Sequence, residues 1–185
     1  EVKLVREKIN LEGAQISYVK RKVNGKEKTV GVLSVPSFYA DNKVGGRNVA
    51  KDVKKLLIEA SNKKVDALVL DLANNGGGDL DSAVKIGGMF FKTGNVVSHE
   101  NLKLMDVDPS VYYNGPLVVN INRLSASASE IVSGALQDYK RAVVVGGDHT
   151  FGKGSVQQVL RLSPELGSIK FTVGLFYLPG GKSTQ

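Results

Sequence analysis

Hydrophobic positions along the chain change spacing several times, and each spacing predicts a different element of secondary structure. Runs rich in β-branched residues, such as residues 29–35, are typical of strands. Apolar residues at intervals of three and four, such as Val49, Val53 and Leu56, predict helices. The predicted strands are 15–22, 28–35, 65–72, 96–97, 116–122, 142–145, 155–162 and 168–177. The predicted helices are 46–62, 79–91 and 128–139. Residues 1–9 are predicted to be extended, and residues 99–113 are predicted to be irregular.

The order of these elements predicts an α/β domain. Strands and helices alternate through the middle of the chain, which indicates crossover connections and a mostly parallel sheet. Asn24-Gly25 lies between two strands and predicts a tight hairpin, so we expect antiparallel pieces as well. A chain of 185 residues is long enough for one domain with an apolar core.

Composition excludes several kinds of chemistry. The chain has no cysteine, which excludes disulfides, thiolate metal sites and cysteine nucleophiles. Its two histidines, His99 and His149, are too few for a histidine-rich metal site. The net charge is +7, but the lysines are scattered and no aromatic residues lie between them, so we predict a solvated surface and no nucleic-acid partner. The first residues do not have the layout of a signal peptide.

Three unusual loops follow predicted strands of the parallel sheet, where α/β proteins place their binding sites. The first loop contains Gly76-Gly77-Gly78 directly before a predicted helix. Consecutive glycines there expose backbone N–H groups that can bind an anion or an oxyanion. The spacing fits neither a phosphate-binding Walker loop nor a dinucleotide fingerprint, and a tight structural turn explains the glycines equally well.

The second loop carries three serines at alternate positions, Ser125, Ser127 and Ser129, just before a predicted helix. A serine in this place commonly caps the helix, and Ser129 is the candidate for that role. Alternatively, one serine is a nucleophile whose developing oxyanion is stabilised by the free N–H groups at the start of the helix.

The third loop places Lys153 between two glycines at the start of a strand that we expect to be interior. Alternation along that strand puts Lys153, Ser155 and Gln157 on one face. Most lysines are solvated surface charges, but a buried lysine has a depressed pKa and can accept a proton near neutral pH. A neutral lysine amine can therefore activate a serine hydroxyl.

Together these loops make the chain resemble the S41 peptidases, the carboxyl-terminal processing or tail-specific proteases, over most of its length from about residue 28 onward. The resemblance rests on combined motifs, not on any single one. The matching segments are residues 70–78 (LDLANNGGG), 125–131 (SASASEI), 134–138 (GALQD), 141–146 (RAVVVG), 150–157 (TFGKGSVQ) and the ending from Phe176-Tyr177 to 181–185 (GKSTQ).

The resemblance implies a serine endopeptidase with a crotonase-like/ClpP-like β-α spiral, made of a mostly parallel sheet plus an antiparallel hairpin. Ser127 matches the nucleophile, Lys153 the general base and Gln157 the residue that positions it. The backbone N–H group of Ala128 and one from the glycine run, Gly78 or, as the second choice, Gly77, would form the oxyanion hole. No metal or organic cofactor is implied. The expected substrates are proteins with apolar, unstructured C-terminal tails.

The resemblance also sets expectations for domains and location. Residues 1–27 would be an N-terminal strand and hairpin segment of the core, and residues 28–185 the peptidase core, ending directly after a strand as if truncated. There is no room for a complete PDZ domain, so a PDZ domain or adaptor would lie outside this chain. A homo-oligomer is compatible with the resemblance. The implied location is the bacterial periplasm or cell envelope.

Three rival hypotheses remain open from the sequence. A Ser-His-Asp hydrolase would use His149 with Asp71 or Asp148. A crotonase-type enzyme would bind acyl-CoA thioesters, and an inactive relative would only bind peptides. Asp138 also matches a family aspartate, but 11 helical residues rise roughly 16 Å, so we predict a structural role near Arg141 and not catalysis.

Overall fold

A computed structural model describes residues 12–41, 45–100 and 102–184. The predicted extended segment at residues 1–9 lies outside the described residues. The strands are β1 Gln15–Val23, β2 Lys26–Ser34, β3 Ala67–Asp71, β4 Gly94–His99, β5 Leu102–Asp106, β6 Leu117–Ile121, β7 Val143–Gly146, β8 Ser155–Arg161 and β9 Ser168–Tyr177, and the helices are α1 Val49–Asn62, α2 Leu80–Gly88 and α3 Ala128–Asp138.

The first sheet has the predicted mostly parallel form. Its strand order is β1-β2-β3-β6-β7, and only β1 runs antiparallel to its neighbour. The hairpin between β1 and β2 turns at Asn24 and Gly25, whose φ angles are 51° and 79°. Positive φ at both central residues is typical of a type I′ turn, whose twist matches that of the two strands. The predicted α/β core and its hairpin are therefore confirmed.

The second sheet is antiparallel throughout, with the order β5-β4-β9-β8. Two expectations are wrong here. Residues 99–113, predicted to be irregular, contain β5, because pairing with β4 and packing of Leu104 against the core stabilise a strand that local composition disfavours. The strand after Lys153 is not interior: β8 pairs with β9 alone among the described residues, so its outer edge and most of its side chains are exposed.

Helix α3 is the most deeply buried helix. Its first nine residues, from Ala128 to Leu136, are all buried, although the sequence indicated only one apolar face. Three of them, Ser129, Glu130 and Ser133, are polar, and a buried polar group requires a hydrogen-bond partner. Ser129 and Glu130 are bonded to residues of neighbouring loops, whereas the Ser133 hydroxyl donates to the Ser129 carbonyl within the helix at 2.8 Å. Within the described residues, none of the helices is long and apolar enough to cross a membrane.

Candidate active site

The glycine loop and the serine loop dock against each other through Asn75. The Asn75 side chain is fully buried and donates to the Val35 carbonyl at 2.7 Å. The Asn75 carbonyl accepts from the backbone N–H of Ala126 at 3.0 Å and from the Ser129 hydroxyl at 2.8 Å. These bonds hold the carboxyl ends of β3 and β6 at a fixed separation.

Gly77 lies where the two loops touch, and there is no space for a side chain at this position. Its φ of 94° favours glycine. A Cβ at this position would lie 2.7 Å from the Ala126 carbonyl oxygen and 2.8 Å from the Ser127 Cβ. The glycine run therefore allows the backbone of the first loop to lie directly against Ser127.

The structure gives the three serines different surroundings. Ser125 is buried, and its hydroxyl donates to the Leu72 carbonyl at 2.8 Å. Ser129 is buried and is bonded to Asn75, so the expectation that Ser129 caps the helix is wrong. The capping position of α3 belongs to Ser127, which is half-buried and is the only one of the three that lines a cavity near the glycine loop.

The backbone of Ser127 has an unusual conformation. Its φ of 55° and ψ of −111° lie in a region that residues with a side chain rarely adopt. Such a conformation costs on the order of 1–3 kcal/mol and persists only where the surroundings impose it. Here the imposed conformation points the side chain into the cavity while the helix begins immediately behind it.

The Glu130 side chain helps to impose this conformation of Ser127. No role was predicted for Glu130 from the sequence. Its side chain is buried, and its carboxylate accepts four hydrogen bonds within the described residues. Oε2 accepts from the backbone N–H groups of Ser127 at 2.7 Å and Lys153 at 2.9 Å, and Oε1 accepts from the Thr150 hydroxyl and the Gly152 N–H, both at 2.7 Å. The Ser-x-x-Glu spacing of a capping box was the available signal, but it indicates only the contact to Ser127.

Lys153 is held beside Ser127 by this carboxylate, but its amine is directed elsewhere. The Lys153 Nζ donates to the Ser155 carbonyl at 2.9 Å, and no hydrogen bond joins it to the Ser127 hydroxyl in the described part of the chain. Burial lowers the pKa of Lys153 below its ordinary value, and repulsion from Lys170 lowers it further, against an opposing effect of Glu130. Both main effects favour the neutral amine that a base requires.

One cavity of about 330 Å³ is lined by Ser127, Lys153, Gln157, Gly78 and Ala128, five of the six residues to which the resemblance gave catalytic or oxyanion roles, while the sixth, Gly77, does not line it. Gln157 lies on its wall but is exposed and makes no hydrogen bond to Lys153 in the described residues. A β-bulge between Val156 and Gln157 interrupts the strand alternation from which a shared face was expected. The lining residues are Gly76, Gly78, Leu80, Ser127, Ala128, Ile131, Lys153, Ser155, Val156, Gln157, Lys170 and Phe176.

Two backbone N–H groups in this cavity are available to a ligand. The N–H groups of Gly78 and Ala128 have no acceptor among the described residues, whereas Gly77 donates its N–H to the Asn75 Oδ1 at 2.9 Å. Ala128 is the first residue of α3, so its N–H also lies at the positive end of the helix. This geometry favours Gly78 and Ala128 over Gly77 as oxyanion donors.

The residues of the rival triad lie apart from this cavity. His149 is exposed and faces Asp148 at 3.2 Å, and Asp148 is paired with Arg123 at 2.9 Å. The Asp71 carboxylate accepts from Asn120 at 2.9 Å. None of these side chains lines the cavity of Ser127. Among the residues described, no group of three or more His, Asp or Glu side chains could hold a metal ion.

Asp138 makes a structural contact outside the cavity of Ser127. Its carboxylate accepts from the backbone N–H of Gly180 at 2.8 Å and thereby fastens the segment after β9 to the end of α3. Arg141 makes no hydrogen bond or ion pair with Asp138 among the described residues, and its guanidinium donates to the carbonyls of Phe90, Tyr113 and Gly115.

Comparison with known proteins finds one consistent family. The family model described as Peptidase family S41 matches residues 29–185. The Tail-specific protease of Haemophilus influenzae is 40% identical over 196 aligned residues, with 100% of this chain and 27% of that protein covered. The Carboxy-terminal-processing protease of Bartonella bacilliformis is 36% identical, with 100% of this chain and 41% of that protein covered.

A solved structure gives the same result for the fold. The photosystem II D1 C-terminal processing protease superposes with a TM-score of 0.80 at 27% identity, covering 97% of this chain and 47% of that chain. This chain therefore spans less than half of that protein, and about a quarter to two-fifths of the two bacterial relatives.

Proposed function

Because the chain belongs to peptidase family S41, we propose that it is the core of a serine endopeptidase with Ser127 as nucleophile and Lys153 as general base. The observation that carries this proposal is the shared cavity. Ser127, Lys153 and the two unengaged N–H groups of Gly78 and Ala128 all meet there. That set contains a nucleophile, a base and an oxyanion site, which acyl transfer requires.

The proposed reaction proceeds through an acyl-enzyme. The neutral Lys153 amine removes the Ser127 proton while the Ser127 oxygen bonds to the scissile carbonyl carbon. The carbonyl oxygen becomes an oxyanion that accepts hydrogen bonds from Gly78 and Ala128, each worth roughly 10²–10³ in rate. The C–N bond breaks as Lys153 gives its proton to the leaving amine. A water, deprotonated by the same lysine, then releases the acyl group and restores Ser127.

This reaction requires a change in the Lys153 side chain. Its amine must leave the Ser155 carbonyl and approach the Ser127 hydroxyl. The backbone need not move, because Glu130 already binds the N–H groups of both residues. We assign to Gln157 the role of holding the amine in the catalytic position, since Gln157 lies on the wall of the same cavity.

The proposed substrates are proteins with apolar, unstructured C-terminal tails. The names of the two bacterial relatives support tail-directed cleavage, and the cavity has an apolar wall formed by Leu80, Ile131, Val156 and Phe176. Residues 28–185 would act as the peptidase core, with residues 1–27 packed as part of it. A PDZ domain or adaptor outside this chain, a homo-oligomeric assembly and a bacterial periplasmic or envelope location complete the proposal.

The deciding experiment compares cleavage of an unfolded protein with an apolar C-terminus by the wild type, Ser127→Ala and Lys153→Ala, with His149→Ala as the control. We expect no detectable cleavage with the first two variants and near-normal cleavage with the third. Cleavage that survives Lys153→Ala but is lost in His149→Ala would mean that a histidine base replaces Lys153 in the Ser127–Lys153 dyad. A wild type that binds the tail without cleaving it would instead be a peptide-binding module.

A further inference from the structure

Lys170 places a second cation in the catalytic cavity, and the proposed reaction does not use it. Lys170 lies on β9, and its side chain lines the cavity together with Lys153. The twelve lining residues include these two lysines but no aspartate or glutamate, within the part of the chain that the structure describes. The cavity is therefore electropositive.

No group of the described residues neutralises Lys170. It takes part in no ion pair and no side-chain hydrogen bond there, unlike Lys20, Lys28 and Lys85, each of which has a carboxylate partner. Glu130 does not line the cavity, and its carboxylate is already occupied by four donors. Lys170 is exposed, so water solvates its ammonium while the cavity is empty. Because like charges repel at short distance, an anion that binds there is attracted by both lysines.

The register of the β8–β9 hairpin positions Lys170 close to the dyad. Lys170 is opposite Val159, and Gln157 is opposite Thr172. Residues opposite each other in an antiparallel pair share a face of the sheet, so Lys170 and Gln157 are diagonal neighbours on one face. An anion bound by Lys170 would therefore lie close to the peptide bond presented to Ser127.

We propose that Lys170 binds a carboxylate of the substrate and makes the enzyme select peptides that carry one near the scissile bond. The inference rests on the proposed function and refines its substrate class. The apolar wall of the cavity receives an apolar side chain, while the ammonium receives the carboxylate beside it. The carboxylate has two sources, the C-terminal α-carboxylate of a tail or the side chain of an internal Asp or Glu.

Matched peptides test the selection. An apolar test peptide is prepared as its free C-terminal acid and as its amide, and a longer amidated peptide is prepared with either Glu or Gln one or two positions beyond the cleavage site. The wild type should prefer the carboxylate member of at least one pair by roughly three- to tenfold in kcat/KM, as for a partly solvated charge pair. The preference should weaken as salt is added. Whichever pair shows it identifies the source.

Variants then attribute the preference to Lys170. The ratio of carboxylate to neutral peptide should fall to about one in Lys170→Gln, reverse in Lys170→Glu and persist in Lys170→Arg. Lys103→Gln is the matched control, because Lys103 is an exposed lysine on β5, the edge strand of the same sheet that lies farthest from β8. It should retain the wild-type ratio. Equal kcat/KM for both members of every pair in the wild type, or a ratio unchanged in Lys170→Gln, would overturn the inference.

A binding measurement separates this inference from the proposed function. Ser127→Ala retains Lys170 but lacks the nucleophile, so the Kd of each labelled peptide can be measured without cleavage. A carboxylate preference in Kd that disappears in the double variant Ser127→Ala/Lys170→Gln supports the role of Lys170 even if no hydrolysis is found. Hydrolysis without a preference in either Kd or kcat/KM would leave the protease proposal standing and remove this one.

Discussion

At the scale of single residues, the surroundings of the cavity act differently on Lys153 and Ser127. Electrostatics lower the pKa of the Lys153 amine, and a hydrogen bond restrains the backbone of Ser127. Burial and the charge of Lys170 both lower the pKa of Lys153, and the first of these is the larger effect. Ser127 adopts a positive φ that the Glu130 carboxylate helps to impose through its N–H. The surroundings therefore set the proton affinity of Lys153 and the backbone geometry of Ser127.

The pH dependence of cleavage should report the Lys153 amine. A base must be neutral to act, so activity should rise with pH through the pKa of Lys153, which lies below the ordinary lysine value. Lys170→Gln removes a positive charge near Lys153. This removal stabilises the protonated Lys153 amine and raises its pKa. The rising limb of kcat/KM should therefore move to higher pH in Lys170→Gln and stay in place in Lys170→Arg.

This measurement uses a neutral, amidated peptide, so that binding of a substrate carboxylate does not contribute. A profile that is flat from about pH 5 to 10 would argue against a lysine base altogether. A rising limb with the same midpoint in wild type and Lys170→Gln would mean that Lys170 does not influence the base.

At the scale of elements, the Glu130 carboxylate joins the start of α3 to the loop that carries Lys153. It accepts hydrogen bonds from both backbones, so one side chain fixes the nucleophile relative to its base. Glu130→Gln keeps the shape but loses the charge and turns an amide N–H₂ group towards N–H donors. We expect kcat to fall by about 10²-fold with little change in KM, since small misplacements of reacting groups have effects of that size.

Two controls make the Glu130 experiment specific. Glu165→Gln changes an exposed carboxylate in the β8–β9 hairpin and should leave kcat unchanged. Thr150→Val removes one of the four donors to Glu130 and should give a smaller decrease than Glu130→Gln. Labelling of Ser127 by a fluorophosphonate should slow in parallel with kcat. A normal kcat in folded Glu130→Gln protein would show that the carboxylate only supports the fold.

The secondary-structure elements also show which parts of the fold could be predicted from the sequence and which could not. The Asn24-Gly25 hairpin and the parallel strands were predictable, because turn chemistry and apolar runs are local signals. The strand β5 and the exposed edge position of β8 were not, because both depend on which distant strand pairs with them. In the site, Ser127 and Lys153 were assigned by resemblance. The Ser-x-x-Glu spacing indicates one of the four bonds of Glu130, whereas the other three come from donors 20 or more residues away and leave no local pattern.

At the scale of the whole molecule, stability depends on polar contacts that join segments far apart in the chain. Arg141 is half-buried and donates to the carbonyls of Phe90, Tyr113 and Gly115, which connects the residues after α2, the loop before β6 and the turn after α3. No acidic side chain takes part in these contacts, so the guanidinium serves as a branched donor. A lysine has one donor centre and cannot span the three carbonyls.

Arg141→Lys should therefore lower the free energy of unfolding by about 1–3 kcal/mol, since the substitution leaves carbonyl groups of the buried residues Phe90 and Tyr113 without this donor. Chemical denaturation measures this as a lower midpoint with an unchanged slope. Arg161→Lys, at an exposed position on β8, is the matched control and should stay within about 0.5 kcal/mol of the wild type. Equal midpoints for the two variants would mean that water replaces the Arg141 contacts. The packing of α2, α3 and β6 would then depend on their apolar faces alone.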